Sequence, residues 1–139
     1  MATISYNATD VRPLPGAHVQ RFAAAGTVGV GQAVYIDSTG RAAPAAANAA
    51  GTSRAIGVVV SAPEGRTTAD AGEMVDVAMH GPVTGFLNMT PGSLVYASTT
   101  AGALDDASPA AGNFRWIIGY AVSTQTVFVA PFTDTFTAV

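Results

Sequence analysis

Gly31-Gln32-Ala33-Val34-Tyr35-Ile36-Asp37-Ser38-Thr39-Gly40 is answered further along the chain by Gly92-Ser93-Leu94-Val95-Tyr96-Ala97-Ser98-Thr99-Thr100-Ala101-Gly102. Both stretches read G-x-x-V-Y followed by a polar turn that closes on glycine. β-branched and aromatic residues suit a pleated, half-buried strand, and the Asp/Ser/Thr/Gly run supplies turn chemistry, so each stretch predicts a strand leading into a tight turn. Working outward, Ile56-Gly57-Val58-Val59-Val60-Ser61 is answered by Ile118-Gly119-Tyr120-Ala121-Val122-Ser123. The two matches keep the same order at offsets of 61 and 62 residues. They read as one strand-rich unit used twice.

Each unit closes on a further strand: residues 73–79, with Val75, Val77 and Met79 on one face, and residues 126–130, with Val127 and Val129 on one face. The offset from Val75 to Val127 is only 52. Unit one joins its last two strands through the polar stretch 62–72, where unit two turns on Ser123-Thr124-Gln125. The longer loop is expected to project from the body. Short β-rich runs punctuated by Gly and Pro, with no sustained 3.6-residue period, predict an all-β fold, a small sandwich or barrel built from the two units.

The predicted organisation is an extended N-terminal arm and lead-in strand over residues 1–25 and a single β domain over 26–131, with units at about 28–80 and 89–131. A C-terminal tail follows over 132–139. The arm rests on Val11-Arg12-Pro13-Leu14-Pro15-Gly16, where paired prolines favour polyproline-like backbone over a packed strand. Residues 42–50 are alanine-rich, but Pro44 and Gly51 limit any helix there to a couple of turns. A short helix or an irregular connector is expected.

With 49% apolar and 11% charged residues among 139, the chain is not a self-repelling disordered one. Its apolar content is mostly alanine and valine, which predicts a thin core and further burial against a partner. The net charge is −3 and no basic run occurs, so neither nucleic acid nor an anionic membrane is an expected partner. All six basic residues are arginine. Lacking lysine, the chain has no Schiff-base, lipoyl, biotinyl or P-loop chemistry, and lacking cysteine it has no disulfide or thiolate site. The amino terminus has no signal-like apolar stretch, and the longest apolar run, residues 55–60, is far below a membrane span of roughly 18 residues. A soluble chain of cytoplasmic origin is expected.

No catalytic, cofactor or metal set is read. His18 and His80 stand in no ligand or nucleophile motif, and the nine carboxylates are dispersed apart from Asp105-Asp106, which reads as turn. Gly26, Gly29 and Gly31 lead into a strand rather than a helix, so they are turn glycines and not a phosphate loop. Tyr35 and Tyr96 read as half-buried strand residues, and Phe86, Leu87 and Trp116 as core. The chain is not expected to be an enzyme.

The succession V-R-P-L-P-G-A, V-G-V-G-Q-A-V-Y-I-D-S-T-G, A-I-G-V-V-V, G-E-M-V-D-V, T-P-G-S-L-V-Y, I-I-G-Y-A-V and V-F-V-A-P, covering residues 11–131, resembles the capsid cement or head decoration proteins of tailed bacteriophages. The resemblance implies a β-rich protein on the virion exterior, made in the host cytoplasm, bound to the major capsid protein and to itself as a homotrimer. An extended terminus would reach onto the shell. It implies contact residues Val11, Arg12, Pro13, Leu14, Arg21, Arg66, Phe132 and Phe136, with Arg12 and Arg21 pairing shell carboxylates. Two other readings stand beside it: a tail, fibre or baseplate module, and a carbohydrate-binding module, which would need an aromatic platform from a chain with one tryptophan.

Overall fold

A computed structural model describes residues 3–132. The first strands are β1 (Ser5–Tyr6), β2 (Arg12–Pro13), β3 (His18–Ala23), β4 (Val28–Gly29) and β5 (Ala33–Ile36). They are followed by β6 (Ala42–Pro44), β7 (Gly57–Ser61), β8 (Thr68–Ala69), β9 (Met74–Thr84) and β10 (Phe86–Leu87). The chain then forms β11 (Leu94–Ala97), β12 (Leu104–Asp105), β13 (Ile117–Ala121) and β14 (Thr126–Phe132). The fold is all-β, and its main sheet curls into a half-barrel.

The main sheet runs β12-β11-β13-β14-β9-β7-β5-β6, antiparallel at every step. The strand after each G-x-x-V-Y glycine, β5 or β11, makes a hairpin with a short partner, β6 or β12. It then pairs with the I-G strand, β7 or β13, which pairs with the closing strand, β9 or β14. The two closing strands meet at Thr84↔Thr126, Val83↔Val127, Pro82↔Phe128 and Gly81↔Val129. The strand order is therefore the same read outward from that junction in either direction.

The paired motifs are paired in chemistry too. Asp37 Oδ1 accepts the Thr39 N–H at 2.9 Å, and Ser98 Oγ accepts the Thr100 N–H at 3.0 Å, so a short polar side chain folds each turn onto its own backbone. A Cβ on Gly57 would lie 2.1 Å from the Ala78 carbonyl oxygen, and one on Gly119 would lie 2.0 Å from that of Phe128. Each motif glycine thus allows an I-G strand to close on its neighbour.

The core is the inward face of these strands. Val34, Val58, Val59, Val75, Val77, Val83, Val95 and Val127 are fully buried, with Phe86, Leu104 and Ile118 as the bulkiest members. Branched side chains at alternate positions fit a pleated surface with little rotamer entropy left to lose. The turn of unit two locks onto unit one: Ala33 N–H donates to the Gly102 carbonyl (2.9 Å), Gly102 N–H to Ala45 (2.7 Å) and Ala47 N–H to Ser98 (2.8 Å). Trp116 packs against the core and donates Nε1–H to the buried Ala55 carbonyl at 2.9 Å. Trp116→Phe is expected to lose about 1–2 kcal/mol in urea unfolding, because a buried acceptor loses its donor. An unchanged midpoint would show that bond to be dispensable.

Four expectations are corrected. Residues 42–50 form no helix: Ala42–Pro44 is strand β6, since β5 offers an open edge and a strand there satisfies the backbone, and only residues 45–50 are the irregular connector expected as the alternative. The 62–72 stretch does not stand off the body. It makes one 3₁₀ turn at Pro63–Gly65, then β8 pairs with β4, anchored by buried Ala62 and Ala69 and by the bond from Val30 N–H to the Thr67 carbonyl (2.9 Å). Asp105 is not in a turn but in β12 opposite Tyr96, and it is buried. Leu87 is on the surface, because the alternation of β10 turns Phe86 inward and Leu87 outward.

The N-terminal stretch is extended, as its prolines predict, but it lies on its own domain. Ile4 N–H donates to Leu104 (2.7 Å), β1 pairs with β10, β2 with the end of β9, and β3 with the start of β9. Proline is tolerated in β2 because this is an edge strand, where one missing donor faces no neighbour.

Candidate contact surface

Alternation along β14 turns Val127 and Val129 into the core and leaves Phe128 on the outer face. Register then sets its neighbours. Phe128 is opposite Tyr120 of β13 on one side and Pro82 of β9 on the other; Tyr120 is opposite Leu94 of β11, and Leu14 extends β2 by donating its N–H to the Pro82 carbonyl at 2.9 Å. The result is one row across five strands, Leu14–Pro82–Phe128–Tyr120–Leu94, with no charged member. Tyr120 and Phe128 stack at 5.5 Å between ring centroids, and His80 sets its ring edge-on to Phe128 at 5.2 Å. Tyr120 and Leu94 remain 42% and 41% exposed, large values for apolar side chains in mid-sheet. The flanking row is Arg12–Thr84–Thr126, continued by Val122, whose N–H bonds the Thr126 carbonyl at 2.9 Å.

The outer face over the first half of β9 has the opposite character. There Arg21, Asp76 and Ser61 form the cross-strand row, and Arg21 Nε donates to Asp76 Oδ1 at 3.0 Å. Nearby, the Arg66 guanidinium bonds the Glu73 carboxylate, which also accepts the Asp70 N–H at 2.7 Å. The Arg66 bond, and after it the Asp70 N–H, hold the Glu73 carboxyl below its usual range. Asp37 is likewise lowered, first by the Thr39 hydroxyl and then by the Arg41 N–H.

A carboxyl with a lowered folded-state pKa binds its proton less readily folded than unfolded. Its stabilising effect is complete above the unfolded range, near pH 4–5, and drains as pH falls through the lowered folded value. Glu73→Gln is expected to flatten the acid limb of a plot of melting temperature against pH and to leave the slope above pH 6 unchanged. Identical acid limbs would show that the pair adds nothing.

The sequence-derived contact residues are scattered by the fold. Arg12 and Leu14 stand at the margin of the apolar row, and Pro13 is exposed beside them. Val11 is 5% exposed and belongs to the domain's own core. Arg21 and Arg66 lie on the polar half, each engaged with a carboxylate of its own chain. Phe132 ends β14 opposite Ile117, and Phe136 lies outside the described residues. Pro82, Phe128, Tyr120 and Leu94 were not anticipated. The signal for Phe128 was present, since two inward valines with one residue between them force that residue outward, but its neighbours follow only from register.

A search of curated proteins gives no match. The model of one protein family, the XM1 gp53 minor capsid protein, matches residues 4–137, nearly the whole chain. That family is one of phage capsid proteins, structural parts of the virion. The all-β chain described above belongs to the XM1 gp53 minor capsid protein family.

Proposed function

We propose that this chain is a decoration, or cement, protein that binds the exterior of the phage head on the major capsid protein and stabilises the shell. The observation that carries this reading is the uncharged apolar row on the outer face of a chain belonging to a phage capsid family. Cementing needs no chemistry. It needs area buried on two or more shell subunits at once, so that each contact raises the effective concentration for the next. A homotrimer made in the host cytoplasm and placed at a symmetry point of the shell multiplies that gain.

The matching strand orders on either side of the β9/β14 junction, the two close-approach glycines and the two side-chain-bonded turns support an internal duplication as the origin of the fold. Of the residues read from sequence, Arg12, Pro13 and Leu14 are the ones this reading keeps at the shell.

Heads prepared without the protein, mixed with the purified chain and sedimented, are expected to carry it down and then to rupture at a higher temperature than bare heads. Binding to tails instead, or to neither, overturns the proposal.

A further inference from the structure

We infer that the row Leu14–Pro82–Phe128–Tyr120–Leu94 is the face that seats on the shell. Its occupant is an uncharged apolar patch of the major capsid protein, bordered by a carboxylate that meets Arg12. The inference rests on the head-binding reading above and assigns it a surface and a partner chemistry.

Three observations carry it. The row crosses five strands, roughly 19 Å at the usual strand spacing of about 4.8 Å, which suits the apolar centre of a standard interface of roughly 800 Å² per partner. Its composition is that of an interface core, aromatic and uncharged, with the two rings held stacked by β13 and β14, so little side-chain entropy is left to lose on docking. The third observation is charge. Arg21 and Arg66 are engaged with carboxylates of their own chain, whereas Arg12, exposed at the edge of the row, makes no ion pair among the described residues.

Neither the apolar row nor the flanking row Arg12–Thr84–Thr126–Val122 holds a carboxylate. A second copy laid face to face brings Arg12 no counter-ion from these rows; the nearest carboxylate, Asp10, is exposed and lines the same hollow as Arg12 in its own chain. A partner of different sequence can supply one, and a guanidinium at the margin of an apolar contact pairs well with it.

The test uses the full chain and heads prepared without it. Leu94→Glu/Tyr120→Glu is expected to weaken head binding roughly 100-fold or more, since charge enters the desolvated centre. Met74→Glu, on the polar half and also well exposed, should bind as the parent does. Arg12→Glu should weaken binding and remove much of its salt dependence, with Arg12→Lys restoring part of both. Should the double variant melt well below the parent, Leu94→Glu and Val122→Glu singly replace it, both positions being nearly half exposed.

Failure of the parent to bind heads overturns the head-binding reading itself. Parent binding that survives every substitution on the row overturns only this inference. So does a parent that sediments as an oligomer and becomes monomeric in the double variant while head binding per subunit is unchanged, because the row is then a subunit contact.

Discussion

Gly119→Ala is expected to remove about 3 kcal/mol of folding stability and about 10 °C of melting temperature. The added Cβ would sit 2.0 Å from the Phe128 carbonyl oxygen and within 2.9 Å of its carbonyl carbon. Both are backbone atoms of the adjoining strand, so no side chain can rotate away; β13 and β14 must part or the chain must shift. Gly57→Ala meets the Ala78 carbonyl oxygen at 2.1 Å and is expected to behave alike. Gly26→Ala and Gly51→Ala are the controls. Neither Cβ would touch anything within 4 Å, and at both positions the backbone suits an ordinary residue. Those two should change stability by less than about 0.5 kcal/mol, or raise it slightly by stiffening the unfolded chain. Urea unfolding of the four variants decides the matter: equal losses at all four would refute the close-approach account.

Phe86→Ala is expected to cost about 3–5 kcal/mol. Among the described residues Phe86 is the largest fully buried side chain, and Tyr6 packs edge-on to it at 5.9 Å. Emptying the site removes the apolar surface that holds β1 against β10, where the register Ser5↔Leu87 and Tyr6↔Phe86 spans only two residues per strand. Too short to persist by backbone bonds alone, that pairing should open, so limited proteolysis should cut the first dozen or so residues of the variant well before those of the parent. Leu87→Ala truncates the neighbouring apolar side chain at the surface, 42% exposed, and should leave both readouts nearly unchanged. A parent-like protease pattern in Phe86→Ala would mean that the N-terminal segment is held by β2 and β3 instead.

The strand scheme was legible in the sequence because each unit states it independently. G-x-x-V-Y, the polar turn and I-G occur twice at one spacing, and each occurrence matches a strand, a side-chain-bonded turn and a close approach. What could not be read was pairing between short segments. β4 and β8 are two residues each and carry no periodicity, yet together they fold the 62–72 loop down. The N-terminal stretch looked free for a related reason. Its prolines report backbone shape, and whether an extended segment is covered depends on a distant strand, here β9.

The contact row shows the same division. Attention to inward valines identifies the core, but the outer face is a property of register: Phe128 is one residue from Val127 in sequence, while Pro82 and Tyr120 become its neighbours only through the sheet. The arm motif points to Arg12 and Leu14, and they stand at the same surface by a different route, in and beside an edge strand.

The β9/β14 junction also sets an order in time. β9 is made before β14, so over Gly81–Thr84 it waits for that later strand, and Tyr120 and Phe128 arrive only with β13 and β14. A truncated or half-made chain has neither a closed sheet nor a complete row. On the head-binding reading proposed above, the face that adheres is absent until β13 and β14 have been made, so a nascent chain without them has no row to offer a shell.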